Sequence, residues 1–166
     1  MRLSRLSQMK PLWVLSGSGV LLLRGVSSAL ALVHYENSPV GAYDEFAVIE
    51  LSLRGPSVTE MLVTSEASRQ AGRELWGFPK ELAKISWRQN PQRIVFQKKG
   101  ECFCFRSVGF SFPLKVKAWT NQILDGQNVR VPCTIQSRAR LAFRGKQIAL
   151  LLENFEMQVF PPATEL

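Results

Sequence analysis

From residue 29 onward the sequence repeats one pattern: short runs of apolar and β-branched residues cut by glycine, proline and Asx turn signals, with a helical period in one place only. Strand-like runs fall at 29–35, 46–53, 58–64, 93–97, 101–108, 115–119, 129–137, 139–143 and 148–159. Between them lie Asn37-Ser38-Pro39-Val40-Gly41, Arg54-Gly55-Pro56, Lys99-Gly100, Asp125-Gly126 and Arg144-Gly145. Such short connections favour antiparallel neighbours, because parallel strands need long crossovers. The expectation is a mainly β (α+β) chain: an antiparallel β-barrel or double-sheet sandwich with one or two helices. A chain of 166 residues that is 46% hydrophobic can hide its apolar faces in one core, so a single domain over 1–166 is expected, with no repeat and no linker.

The period changes at Ser65, where Ser65 with Glu66 or Ser68 offers a helix start. Ala67, Ala71 and Leu75 then fall at i, i+4 and i+8 on one face. Gly77 and Pro79 end the helix, since glycine suits a C-terminal cap and proline cannot extend the hydrogen-bond ladder. Directly behind Phe78-Pro79 sits Lys80, four residues after Trp76. A lysine in that apolar company either snorkels to water or is tuned for chemistry.

The N-terminal 33 residues imitate an export signal: basic residues, an apolar run from Leu12, then the small-x-small triplet Ala29-Leu30-Ala31. The run is broken by Ser16-Gly17-Ser18-Gly19 and again by Arg24, and it falls short of the ~18 uninterrupted apolar residues of a membrane span. The alternative reading, two short strands around the Ser-Gly turn or one strand with a glycine-relaxed bend, keeps the segment in the fold, and residues 1–10 become a disordered basic tail.

Twenty-one Lys and Arg against thirteen Asp and Glu give a net charge of +8 without any block of consecutive basic residues. That balance favours anionic partners in general but carries no nucleic-acid motif, so a solvated basic face is expected, with neither nucleic acid nor membrane as partner. Cys102 and Cys104 point to one side of a strand, opposite Phe103 and Phe105. With Cys133 and the single histidine, His34, they are too scattered for a zinc site, so no metal is expected. They read as a buried, reduced pair in a cytoplasmic protein.

Two segments carry a more specific signal: YENSPVGAYDEF at 35–46 and SEASRQAGRELWGFPKELAKI at 65–85. Together they resemble the acetoacetate decarboxylase family, through the Ser-Pro-Val-Gly turn, Tyr-x-Glu, Gly-Arg-Glu and Phe-Pro-Lys with its following leucine. PLWVLSGSGVLLL is similar to the family's opening strand. The resemblance implies a shortened, divergent member in which Lys80 forms a Schiff base with a ketone, with no cofactor, and Glu45 orients the substrate or moves a proton. It implies Arg24, Tyr43, Trp76 and Phe78 as substrate-binding positions, and Arg73 and Glu74 as residues that fix the helix. The chain departs from the family in having Glu81 where the best-known decarboxylases have a second lysine, and an anion there opposes activation. Lys84 would supply the missing positive charge if 80–84 made a helical turn.

The reading implied is a carbon-carbon lyase in which Lys80 attacks a small keto acid or related carbonyl, leading to decarboxylation, in a homo-oligomer. The same imine supports aldol or dehydration chemistry. The alternative is a non-catalytic barrel for small apolar ligands in which Glu81 pairs Lys80.

Overall fold

The computed structural model describes residues 12–90 and 93–164. Strands β1 (Trp13–Arg24), β2 (Ser28–Asn37), β3 (Tyr43–Ser52) and β4 (Gly55–Val63) form an antiparallel meander. Helix α1 (Glu66–Trp76) follows, then the short strand β5 (Lys80–Leu82), which returns parallel to β4. A hairpin of β6 (Ile85–Asn90) and β7 (Arg93–Lys98) leads into the long strands β8 (Glu101–Leu124), β9 (Gln127–Arg144) and β10 (Gln147–Val159), with β11 (Ala163–Thr164) at the edge. The strands close into a ring, β8-β9-β10-β1-β2-β3-β4 and back to β8. Six of its seams are antiparallel ladders; the seventh, β4 to β8, is a single parallel bridge between Ser57 and Asn121. Among the described residues no helix is long and apolar enough to cross a membrane.

The meander is buried on both faces, because its strands are apolar at consecutive positions rather than alternately. On β2, Val33 and Tyr35 join one core while Leu30 and Leu32 join a second. On β3, Tyr43 and Ala47 belong to the first and Phe46 to the second. The first core, with Trp13, Trp76 and Phe155, lies beneath α1. The second, with Phe96, Phe103 and Phe105, is covered by the β6–β7–β8 layer.

The expected mainly β architecture holds, with closure into a ring and one helix among the described residues. The segment with signal-like character is β1, a single bent strand with Trp13, Leu15, Val20 and Leu22 buried. Its bend lies at the glycines, where the register shifts against both neighbours. A Cβ on Gly17 would stand 1.9 Å from the His34 carbonyl oxygen, so only glycine admits β2 at that distance. The proposed tail, 1–10, lies outside the described residues.

Several expectations are corrected. The runs 101–108 and 115–119 are one strand, as are 129–137 and 139–143, because the β8–β9 ladder continues through both gaps and absorbs the break as a register shift between Val108 and Phe112. Strands β5 and β6 were not expected. The buried face of α1 is Ser68, Ala71, Gly72 and Trp76 rather than Ala67, Ala71 and Leu75. Cys102 and Cys104 do share a face, but it is the outer one: Phe103 and Phe105 take the core, being larger and less polar, and Cys102 is exposed.

Candidate functional site: a buried lysine and carboxylate

The site is assembled by three adjacent strands and one helix. Ala47 on β3 pairs Met61 on β4, and Met61 pairs Lys80 on β5; Glu45 lies two residues from Ala47 and therefore on the same face. Helix α1 crosses above. Its N-cap is Ser65, whose side chain accepts from the Ser68 amide, and its end is Gly77 in the left-handed region at φ 72°. The Gly77 and Phe78 amides close on the carbonyls of Arg73 and Gly72, each at 3.1 Å, and the Lys80 amide then donates to Phe78 at 2.8 Å. Arg73 Nε donates to the Lys80 carbonyl at 2.6 Å, so the backbone of the lysine is held from both sides.

Lys80 and Glu45 are each only 5% exposed. Lys80 Nζ stands 2.9 Å from Glu45 Oε2 and donates to Ser68 Oγ at 2.9 Å. Oε2 has no other partner among the described residues, whereas Oε1 accepts from Tyr35 Oη at 3.1 Å. The Tyr43 ring lies beside the ammonium, 5.3 Å from Nζ to centroid, and against Tyr35 at 4.7 Å. The lysine stem runs across bare Gly72: a Cβ there would fall 2.6 Å from both Cδ and Cε.

Burial pushes the Lys80 ammonium toward losing its proton, but the Glu45 carboxylate, with Tyr43 and its hydrogen bonds, more than offsets this and the lysine lies above its ordinary value. A site activated by desolvation alone would lie below it; here the lysine rests in an ion pair. Burial, opposed by the Lys80 charge and helped by Glu45, leaves Tyr43 pushed up to about 12, and burial with Glu45 pushes Tyr35 well above its ordinary value, so both are neutral phenols near neutral pH. The arrangement can hold a proton between amine and carboxylate in a water-poor core and can stabilise an oxyanion with a phenol. Cavities of about 460 and 410 Å³ lie elsewhere, and neither is lined by Lys80.

The other candidate residues separate. Glu81 is exposed, turns away from Lys80 as successive strand residues must, and pairs with Arg73. It is not the partner of Lys80, and no helical turn carries Lys84 back to the site; Lys84 instead lines the larger cavity with Lys99 and Glu101. Arg24 pairs Ser28 at the end of β1, while Glu45 is level with Val33 and Gly19. Five strand residues, about 16 Å, therefore separate that arginine from the level of the site. Trp76 is a core residue, edge-on to Trp13 at 5.1 Å, with Nε1 donating to the Phe160 carbonyl, and the Phe78 ring packs 6.3 Å from it. Glu74 accepts from Gln70 within the helix.

Tyr35, Ser68 and Gly72 were missed. The available signal was the small and polar face of α1: Ser68, Ala71 and Gly72 spaced three and four residues apart leave a trough instead of a ridge, and a trough on a buried face needs a long side chain to fill it.

The fold and site define a closed ring of mainly antiparallel strands with a lysine and carboxylate paired in its interior. The description of the family Acetoacetate decarboxylase (ADC) matches residues 28–100, a segment that contains Glu45, Ser68 and Lys80. A crystal structure of acetoacetate decarboxylase from Legionella pneumophila subsp. pneumophila str. Philadelphia 1 is similar with a TM-score of 0.57 at 13% identity, over 93% of this chain and 84% of that one. A second acetoacetate decarboxylase structure is similar with a TM-score of 0.55 at 10% identity, over 94% and 87%. At these identities the likeness is one of fold. Among curated protein sequences none matches. The chain is thus similar to the acetoacetate decarboxylase family over residues 28–100 and shares its fold over most of its length.

Proposed function

We propose that the protein is a Schiff-base-forming lyase of the acetoacetate decarboxylase type, acting on a small keto acid. The observation that carries this reading is the burial of Lys80 Nζ against Glu45 Oε2 at 2.9 Å, on a segment that matches the family. In the reaction Glu45 takes the ammonium proton, and the free amine attacks the ketone carbon. The carbinolamine loses water to give a protonated imine. The carbon-carbon bond to the carboxylate breaks, carbon dioxide leaves, and its electron pair moves into an enamine. Protonation and hydrolysis then release the ketone product and restore Lys80. Ser68 and Tyr35 hold the two ends of the pair between turnovers. No cofactor enters this scheme.

Two observations favour a second reading, a non-catalytic barrel: the raised Lys80 value and the absence of Lys80 from both cavities. In that reading the pair is structural, with Glu45 rather than Glu81 as the partner. A homo-oligomer is part of the proposal; Phe110 at 96% and Ile123 at 66% exposure, on the long β8 strand, are apolar residues that a second copy would cover.

Borohydride trapping with acetoacetate and with pyruvate tests the reading, with Lys80→Ala as control and peptide masses as readout. A reduced adduct on Lys80, absent from the variant, supports imine chemistry. Failure across a wider panel of carbonyl compounds leaves the non-catalytic barrel.

A further inference from the structure

On the outer face of the β6–β7–β8 layer, opposite the second core, the ladder sets two thiols beside a row of arginines. Cys102 pairs Gln97 and Cys104 pairs Val95, while Arg93 pairs Arg106 one step along. Arg88 pairs Val95 from the other side. Cross-strand partners share a face, so Arg88, Arg93, Arg106 and both cysteines lie on one surface. With Ser86, Asn90, Val95 and Gln97 they complete the outward positions of the three paired segments, and none of these is acidic.

The two sulfurs are 3.5 Å apart, and Arg93 Nη2 donates to Cys104 Sγ at 3.6 Å. Cys102 is exposed and Cys104 half-buried. We propose that Cys104 and Cys102 form a surface dithiol site that exchanges with anionic low-molecular-weight disulfides of the glutathione class. The arginine row attracts the carboxylates of such a compound, and the paired sulfurs supply attack and resolution. The Arg93 hydrogen bond, and then that from Cys102, hold the Cys104 thiol below its ordinary value, while Cys104 in turn pushes Cys102 up. Cys104 is therefore the attacking thiolate and Cys102 the resolving thiol.

In the first step Cys104 Sγ bonds to one sulfur of the small disulfide, that disulfide bond breaks, and one small thiolate departs with the electron pair. In the second, Cys102 gives its proton to solvent and attacks Cys104 Sγ, and the second small thiolate leaves. Two protein thiols are oxidised and one disulfide is reduced to two thiols, so atoms and electrons balance. Positions i and i+2 of a strand span about 6.7 Å between Cα atoms, near the upper limit for a disulfide. The product is strained and is readily reduced again, which makes the exchange reversible.

The test treats the full chain at neutral pH with glutathione disulfide as probe and follows intact and peptide masses. Wild type is expected to lose a pair of hydrogens between Cys102 and Cys104. Cys102→Ser should stop at one glutathione adduct on Cys104, and Cys104→Ser should lose the fast reaction. Arg93→Gln should slow the first step roughly fivefold, and Arg93→Lys should restore most of it, as expected for a thiolate held by positive charge. Cys133, whose thiol burial pushes up, is an internal control that needs no variant. The proposal is overturned if Cys133 reacts as fast as Cys104 in wild type, or if wild type halts at the mixed disulfide.

Discussion

Glu45→Gln removes the charge that neutralises Lys80 and leaves the rest of the core in place. Both side chains are buried, and the pair is close at 2.9 Å, so the substitution strands an ammonium in an apolar core with only Ser68 Oγ and the phenols around it. Breaking one partner of such a pair costs about 3–5 kcal/mol at neutral pH. At roughly 2–4 °C per kcal/mol for a chain of this size, the midpoint of thermal unfolding should fall by about 6–20 °C. The pH dependence identifies the cause. In wild type the folded lysine lies above its unfolded value of about 10.4, so its contribution is fully present below that value and is lost as pH rises through the folded one. In the variant burial is the dominant remaining influence and the folded lysine lies below its unfolded value. The unfolded state then binds more protons, and stability rises with pH up to about 10.4. Tyr43, at about 12, and Tyr35 stay protonated when folded while the unfolded phenols ionise at about pH 10, an opposing slope that wild type and variant share and that cancels in the difference between them. Denaturant unfolding at several pH values from neutrality to 10 measures it. A variant within about 1 kcal/mol of wild type at neutral pH, with stability that does not rise relative to wild type toward pH 10, would refute the ion-pair account.

Ser68→Ala removes the other acceptor of the lysine; a loss of about 1–3 kcal/mol in chemical denaturation is expected, with Ser68→Thr a poorer rescue than its hydroxyl suggests because Ser68 is fully buried. Gly72→Ala puts a methyl 2.6 Å from the lysine stem, so it should displace Lys80, cost about 1–3 kcal/mol and abolish any borohydride-trapped adduct in peptide mapping. Both Gly77 and Gly55 need a positive φ, 72° and 106°, but Gly77→Ala also meets the Ile123 backbone carbonyl at 2.1 Å, whereas the Cβ of Gly55→Ala meets only side-chain atoms, the nearest 3.2 Å away; the thermal midpoint of Gly77→Ala should therefore fall further.

What was legible in the sequence followed from local chemistry. Ser65, Gly77 and Pro79 bound the helix because caps and breakers act over a few residues, and the turn glycines at 100 and 126 mark hairpins for the same reason. Lys80 and Glu45 were legible through the motifs around them. The remainder depends on contacts between distant residues. Nothing within residues 24–29 shows that Arg24 is carried away from the lysine; that follows from the register of β1 against β2 and β3. Sequence proximity points to Glu81 as the partner of Lys80, but strand geometry sends adjacent side chains to opposite faces and brings Glu45 from two strands away. Likewise Cys102 and Phe103 alternate visibly, while the choice of inner face belongs to the second core.

The ring has one seam that is stitched rather than zipped. Between β4 and β8 the junction shows the Ser57 to Asn121 bridge and Asn121 Nδ2 donating to the Arg54 carbonyl at 2.7 Å, where every other junction of the ring is an antiparallel ladder of eight or more residue pairs. A closed hoop under thermal load parts where it is least bonded, and here that place borders β4, the strand against which the lysine segment is laid. Local opening of the hoop would then begin beside the lysine segment, and the strands that hold Lys80 would be the first to loosen from the wall.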